Sequence, residues 1–181
     1  MILLIDTSSS GIKFALNGKA KTVAAEKQST ALPVETEKFL ADMGAAMRNL
    51  TAIGIVVGPG SFTGIRLGIA YAKGLAIGLN IPVVPVNAFE IYLEKTPDAF
   101  VALDSGRGDF FVASANLSPT IMTIDEVETE QMKCARTVGH KPYDLADALT
   151  IAERKLAAGN KEPVIPMYLR PHYAEQNCKS S

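Results

Sequence analysis

The segment Gly58-Pro-Gly-Ser-Phe-Thr-Gly64 joins a short apolar run, Ile53-Gly-Ile-Val-Val57, to a stretch rich in small residues that ends near Asn80 and is stopped by Pro82. An apolar run of this length reads as a buried strand, and the stretch after it as a helix. Gly64, Gly68, Ala72 and Ala76 recur every fourth residue and so share one helix face as a shallow groove. Gly74 and Gly78 add a second strip. Each interior glycine costs roughly 0.5–1 kcal/mol relative to alanine, so something must approach closely enough to offset that cost. Two candidates meet the requirement: the helix's own sheet, or the helix of a neighbouring subunit. Arg66 and Lys73, seven residues apart on one face, are expected in solvent or at an interface rim.

The turn invites a phosphate-loop reading, because such turns aim backbone N–H groups at an anion. Its spacing fails the common tests. Thr63 stands where a Walker A loop or a dinucleotide fingerprint needs glycine, and no Lys follows it. A nucleophile elbow would need serine at the centre of Gly60-Ser-Phe-Thr-Gly64, where Phe62 stands. What remains is either a ligand loop of another kind or a tight strand-to-helix turn capped by Ser61 or Thr63.

The other elements fit an α/β chain. Ile2 to Ile5 reads as a strand buried on both faces. Ile12, Phe14 and Leu16 alternate with Lys13 and Ala15, Asn17-Gly18 is a hairpin signal, and Lys19 to Ala25 returns along an edge. Pro33 opens an expected helix to about Asn49. Val83-Val84 begins another strand, and Asn87 caps a helix over Ala88 to Lys95. Phe100-Val-Ala-Leu103, Asp104-Ser105-Gly106 and Phe110-Phe-Val-Ala113 then repeat the plan of Leu4-Ile5-Asp6-Thr7-Ser8 and Phe14-Ala15-Leu16, a weak internal repeat. Beyond Asn116 a strand is expected over Thr120 to Ile124, and helices over Tyr143 to Leu149 and Ile151 to Ala158. Val164 to Pro171 reads as extended, and the chain from Asn177 as frayed.

Composition narrows the function classes. Lys+Arg 18 against Asp+Glu 19 leaves a formal charge of −1, without the basic excess that strong phosphate-backbone binding by this chain alone would need. Cys134 and Cys178 make no disulfide framework. No secretory leader is evident, and Arg66 and Lys73 interrupt the most apolar stretch, so a reducing cytoplasm and no membrane span are expected. His140 and His172 stand far apart without metal-ligand spacing. Asp6 with Thr7 and Ser8, at a strand end, could organise a metal-bound phosphate or simply form a turn. No Ser/His/Asp set has local support, so catalytic residues are expected to be none.

Gly58-Pro-Gly-Ser-Phe-Thr-Gly-Ile-Arg-Leu-Gly68, Leu4-Ile-Asp-Thr-Ser8, Leu103-Asp-Ser105 with Gly108, and Pro166-Met-Tyr-Leu-Arg170 together resemble the TsaB (YeaZ) family, smaller bacterial relatives of TsaD. The resemblance implies an actin/Hsp70-like ATPase fold of two related α/β halves, with residues 1–97 as the first half, 98–176 as a shortened second half and 177–181 as a disordered tail. It implies a non-catalytic scaffold role in making threonylcarbamoyladenosine beside the tRNA anticodon, with a TsaD-like transferase and a TsaE-like ATPase as partners. Tendencies to homodimerise and to meet tRNA only through the complex come with it. Helices matching Pro33–Asn49 and Ile65–Asn80 form the family's dimer surface, which points to Phe39, Gly64, Leu67, Gly68, Tyr71, Ala72 and Leu75 as interface residues. Asp6, Thr7, Ser8 and Asp104 are the matching nucleotide positions, with ATP and magnesium, where used, mainly on the partner and no cofactor of this chain's own. Many relatives carry a His before the first helix, where this chain has Gln28-Ser29-Thr30, and after Asn116 only Gly139 and Gly159 remain where glycine pairs would hold an adenosine. A small ATPase or phosphotransferase using Asp6, Thr7 and Asp104 is the enzyme-class alternative. The missing metal cluster and nucleophile speak against a peptidase.

Overall fold

Alternation along the first strand sets the layers. In the computed structural model, which describes residues 1–170, β1 (Ile2–Asp6) is buried throughout. Leu3 and Ile5 face one hydrophobic cluster, and Ile2 and Leu4 face another, as the two-residue period of a strand requires. β1 pairs antiparallel with β2 (Ile12–Leu16) and parallel with β4 (Ala52–Val56). β3 (Lys19–Val23) and β5 (Val83–Val86) complete a sheet of order β3-β2-β1-β4-β5. Asn17 and Gly18 both take positive φ, the geometry of the two-residue hairpin their sequence announces.

A second sheet repeats the plan. β6 (Phe100–Asp104) pairs antiparallel with β7 (Asp109–Ser114) and parallel with the two-residue β9 (Thr137–Val138), and β8 (Leu117–Thr123) lies outside β7, giving the order β8-β7-β6-β9. β6 to β9 thus stand in for β1 to β4, and no equivalent of β5 occurs among the described residues. These are the two related halves expected of the actin/Hsp70-like fold, the second one shortened.

α1 (Gln28–Asp42) and α2 (Phe62–Leu79) cover one face of the first sheet. The expected first helix is shifted: it begins five residues before Pro33, which lies inside it, and it stops well short of Asn49. Gly44, at φ +65, ends it, with the N–H groups of Gly44 and Ala45 donating back to Ala41 and Leu40. A separate 3₁₀ turn covers Met47–Asn49. The opposite face is covered by α5 (Leu145–Ala157), a single helix where two were expected, capped by Asp144. Spatial and sequential halves therefore part company at α5, which returns to the first sheet. α3 (Ala88–Lys95) lies between the halves, with Ile91 against the first sheet and Phe89 against the second. α4 (Ile124–Gln131), absent from the sequence expectations, packs Val127 on the second sheet. Its Thr123–Glu126 capping box was the readable signal.

The small-residue stripe faces inward. Gly64, Gly68, Ala72 and Ala76 are all buried against the first sheet. A Cβ on Gly64 would lie 2.0 Å from the carbonyl oxygen of Thr7, and one on Gly68 would lie 2.2 Å from the Thr7 hydroxyl. The sheet, then, is the close neighbour that these glycines accommodate. Gly74 and Gly78 differ, since a Cβ at either would meet nothing within 4 Å. The expected tail (177–181), His172 and Cys178 lie outside the described residues. No helix among the described residues is long and apolar enough to cross a membrane.

Gly68→Ala is expected to lower stability by about 1–3 kcal/mol through overpacking, and Gly68→Trp to prevent folding. Urea melts of the two variants test this, and a Gly68→Trp protein that melts like wild type would refute the packing assignment.

Candidate functional site

The ends of β1 and β6, the turn before α2 and an extended segment near the end of the described chain converge between the two halves. Asp6 is fully buried, and both its carboxylate oxygens are taken. Oδ1 accepts from the Ser8 N–H at 2.8 Å and the Ser8 hydroxyl at 2.6 Å. Oδ2 accepts from Lys13 Nζ at 3.1 Å and the Tyr143 hydroxyl at 2.7 Å. The strand pairing explains Lys13, which lies opposite Asp6 in register. Tyr143 arrives from before α5 and rests edge-on against Tyr92, with the Lys13 ammonium over its ring. Burial first, then the charge of Asp6, pushes the Tyr143 hydroxyl well above the ordinary tyrosine range, so it remains a proton donor to Asp6.

Thr7 is equally committed. Its hydroxyl donates to the Gly64 carbonyl at 2.7 Å within the buried contact. Ser8, 7% exposed, anchors the turn before α2, its carbonyl accepting from Ser61 N–H at 2.7 Å. Ser61 caps α2 through Gly64 N–H, so the capping role expected of Ser61 or Thr63 falls to Ser61. Asp104, the fourth nucleotide candidate, is exposed and accepts from Gly106 N–H at 2.7 Å in its own turn. A cleft of about 760 Å³ runs between the two strand ends, lined by Ser8, Ser9, Gln28, Ser61, Asp104 and Ser105 among others. Asp6 and Thr7 do not line it.

These residues do not fit a magnesium–nucleotide centre. Such a site needs a carboxylate with oxygens free for the ion or its waters, whereas Asp6 has four donors of the chain's own around it. Among the described residues, no group of three or more His, Cys, Asp or Glu side chains is placed to hold a metal.

The expected interface residues divide. Gly64, Gly68 and Ala72 face the sheet, and Phe39 is 2% exposed and stacked on Phe14 at 5.3 Å. These four are corrected: packing within the chain makes them unreachable for a partner. Leu67, Tyr71 and Leu75 are half-buried on the flank of α2. The solvent face instead presents Ala70, Lys73, Gly74 and Gly78, with Ile77 at 82% exposure, while Val34 on α1 is 52% exposed. Sequence reading placed the small residues on the right helix and did not resolve which of two strips points outward.

The family model described as TsaD, tRNA N6-adenosine threonylcarbamoyltransferase, matches residues 13–168. Curated relatives include "tRNA threonylcarbamoyladenosine biosynthesis protein TsaB" of Haemophilus influenzae, 30% identical across 61% of this chain and 51% of that protein. The TsaB of Escherichia coli is 34% identical across 48% of this chain and 39% of that protein. Among solved structures, "YeaZ from Pseudomonas aeruginosa" superposes with a TM-score of 0.71 at 21% identity, covering 93% of this chain and 99% of the other. This chain belongs to the TsaB (YeaZ) family. The TsaB-family chain spans about half the length of the curated relatives it matches, or less, yet it reproduces nearly the whole fold of the superposed YeaZ chain.

Two residues the sequence did not single out, Lys13 and Tyr143, complete the Asp6 cluster. Tyr143→Phe removes a donor from a buried carboxylate while leaving the ring in place, and is expected to cost about 1–3 kcal/mol. Chemical denaturation checks this, and an unchanged midpoint would show that Asp6 does not depend on that hydroxyl.

Proposed function

We propose that this chain is a non-catalytic subunit in the formation of threonylcarbamoyladenosine in tRNA, supporting a TsaD-like transferase through the solvent face of α2. The observation that carries the docking surface is the outward strip of Ala70, Gly74 and Gly78 beside Ile77. Small residues let a second helix backbone approach closely, and an isoleucine this exposed gains by being covered. Leu67, Tyr71 and Leu75 on the flank and Val34 on α1 extend the apolar area, and Lys73 supplies a charged rim. The biosynthetic role rests on family membership and on the names of the TsaB relatives.

In this reading the same face serves a homodimer or the transferase, but not both at once. A TsaE-like ATPase is the third member, and ATP and magnesium act mainly on the partners. The near-neutral charge leaves tRNA to be held by the assembled complex. The commitment of Asp6 and Thr7 to internal bonds supports the non-catalytic assignment over the small ATPase or phosphotransferase.

Gly74→Trp is expected to melt like wild type and to abolish co-purification with the TsaD-like protein of the same organism, together with the threonylcarbamoyladenosine content of tRNA in cells relying on the variant. Normal co-purification would sink the docking face. Calorimetry of the isolated chain with ATP and magnesium is expected to give no binding in the micromolar range, and clear micromolar heats would favour the phosphotransferase alternative.

A further inference from the structure

The segment Val164–Arg170 touches both halves along its length. Met167 N–H donates to the Val57 carbonyl at 2.8 Å, fastening the segment to the end of β4. The Met167 and Leu169 side chains pack with Phe89, Val101 and Phe111, the core of the second half. Tyr168 turns outward, stacks on Phe62 with ring centroids 4.9 Å apart, and accepts a hydrogen bond from Arg66 Nε. Phe62 and Arg66 form the first turns of α2, so this stack continues the proposed docking face.

Arg170 reaches the other way. Its guanidinium donates to both carboxylate oxygens of Asp109, at 2.6 Å to Oδ2, and to the Ser105 hydroxyl at 3.3 Å. Ser105 in turn donates from its hydroxyl to Asp109 and accepts from Arg107 N–H at 3.2 Å, while its own N–H donates to the Asp109 carbonyl at 3.0 Å. The hydrogen bond from Ser105, followed by Arg170, holds the Asp109 carboxyl below the ordinary aspartate range. One side chain therefore grips the turn from Asp104 to Asp109 at two points, Ser105 and Asp109, and Asp104, Ser105 and Gly106 of that turn line the inter-half cleft.

We infer that Val164–Arg170 is a strap across the two halves, with Arg170 as a latch that orders the Asp104–Asp109 turn and Tyr168 as the handle exposed to a partner docked on α2. The coupling rests on the docking proposed above, whereas the latch rests on this chain alone. A partner that engages Arg66 and Tyr168 competes for the bond between them, and movement of Tyr168 is felt two residues on at Arg170. Met167 and Leu169, the residues on either side of Tyr168, are both packed against the second half, so the segment from Tyr168 to Arg170 is held as one piece. Docking is thereby linked to the shape of the cleft mouth through a short, continuous set of contacts.

Amide hydrogen exchange tests both parts. In the free chain, Arg170→Gln and Asp109→Asn are each expected to speed exchange at Ser105 and Arg107 about tenfold while β1, β4 and α2 keep their protection. The charge-exchanged double variant Arg170→Asp with Asp109→Arg should recover much of the loss. Unchanged exchange in the turn overturns the latch, and so does loss of protection spread equally over the first sheet. On adding the TsaD-like protein, protection at the turn should change in wild type and not in Arg170→Gln. Docking with no change at the turn overturns the coupling. A failure to dock counts against the docking reading instead, and the free-chain variants still decide the latch.

Discussion

Contact between Thr7 and the backbone of α2 fixes the rest of the molecule. The helix lies so close to the end of β1 that no side chain fits at Gly64 or Gly68, and the Thr7 hydroxyl closes the contact by donating to Gly64. That closeness determines the helix's rotation. With the glycine stripe inward, Ala70, Gly74 and Ile77 must face solvent, because positions four apart share a face and those between them do not. It also brings Ser61 under the Ser8 carbonyl, so the start of α2 is fixed at the mouth of the cleft.

The same closeness bears on chemistry. A strand-end aspartate beside two hydroxyl residues has the composition of a phosphate site, but composition is not availability. Asp6 is surrounded by Ser8, Lys13 and Tyr143, and Thr7 is spent on α2. Buried charges persist only when paired and hydrogen-bonded, and here the chain provides that environment itself. The matching aspartate of the second half, Asp104, is exposed and bonds only within its turn as far as the structure describes it. The two halves thus retain a shared plan while the first has turned its polar strand end into a structural tie.

Ion pairs fasten α3 to α5. Lys155 on α5 meets Glu90 at 2.8 Å and Glu162 at 2.9 Å, and it donates to the Pro85 carbonyl at 3.1 Å. Arg154 clasps Glu94 through two bonds. These contacts connect α3, α5, the end of the first sheet and the approach to the strap. Those involving exposed partners contribute little each, since water and salt screen them, and their effect is to hold the orientation of α3 and α5 rather than to drive folding.

Much of the fold was legible in the sequence because local patterns specify local structure. The continuous apolar run Ile2–Ile5, the alternation in Ile12–Leu16, the Asn17-Gly18 turn and the Asn87 cap each depend on residues adjacent in the chain, and the repeat around Asp6 and Asp104 is two such local patterns alike. The errors share a cause too. Proline favours the first turn of a helix, which points to Pro33 as a start, yet α1 begins at Gln28 and buries Leu32, on the N-terminal side of Pro33, against the first sheet. Sequence by itself determined that α2 needs a close neighbour on one side, since glycines at that spacing have a cost that only proximity offsets. Only the tertiary structure decided that the neighbour is Thr7, that Tyr143 closes the Asp6 cluster from 137 residues away, and that Arg170 reaches Asp109. Such pairings depend on how two sheets and their helices settle together, and no local period records them.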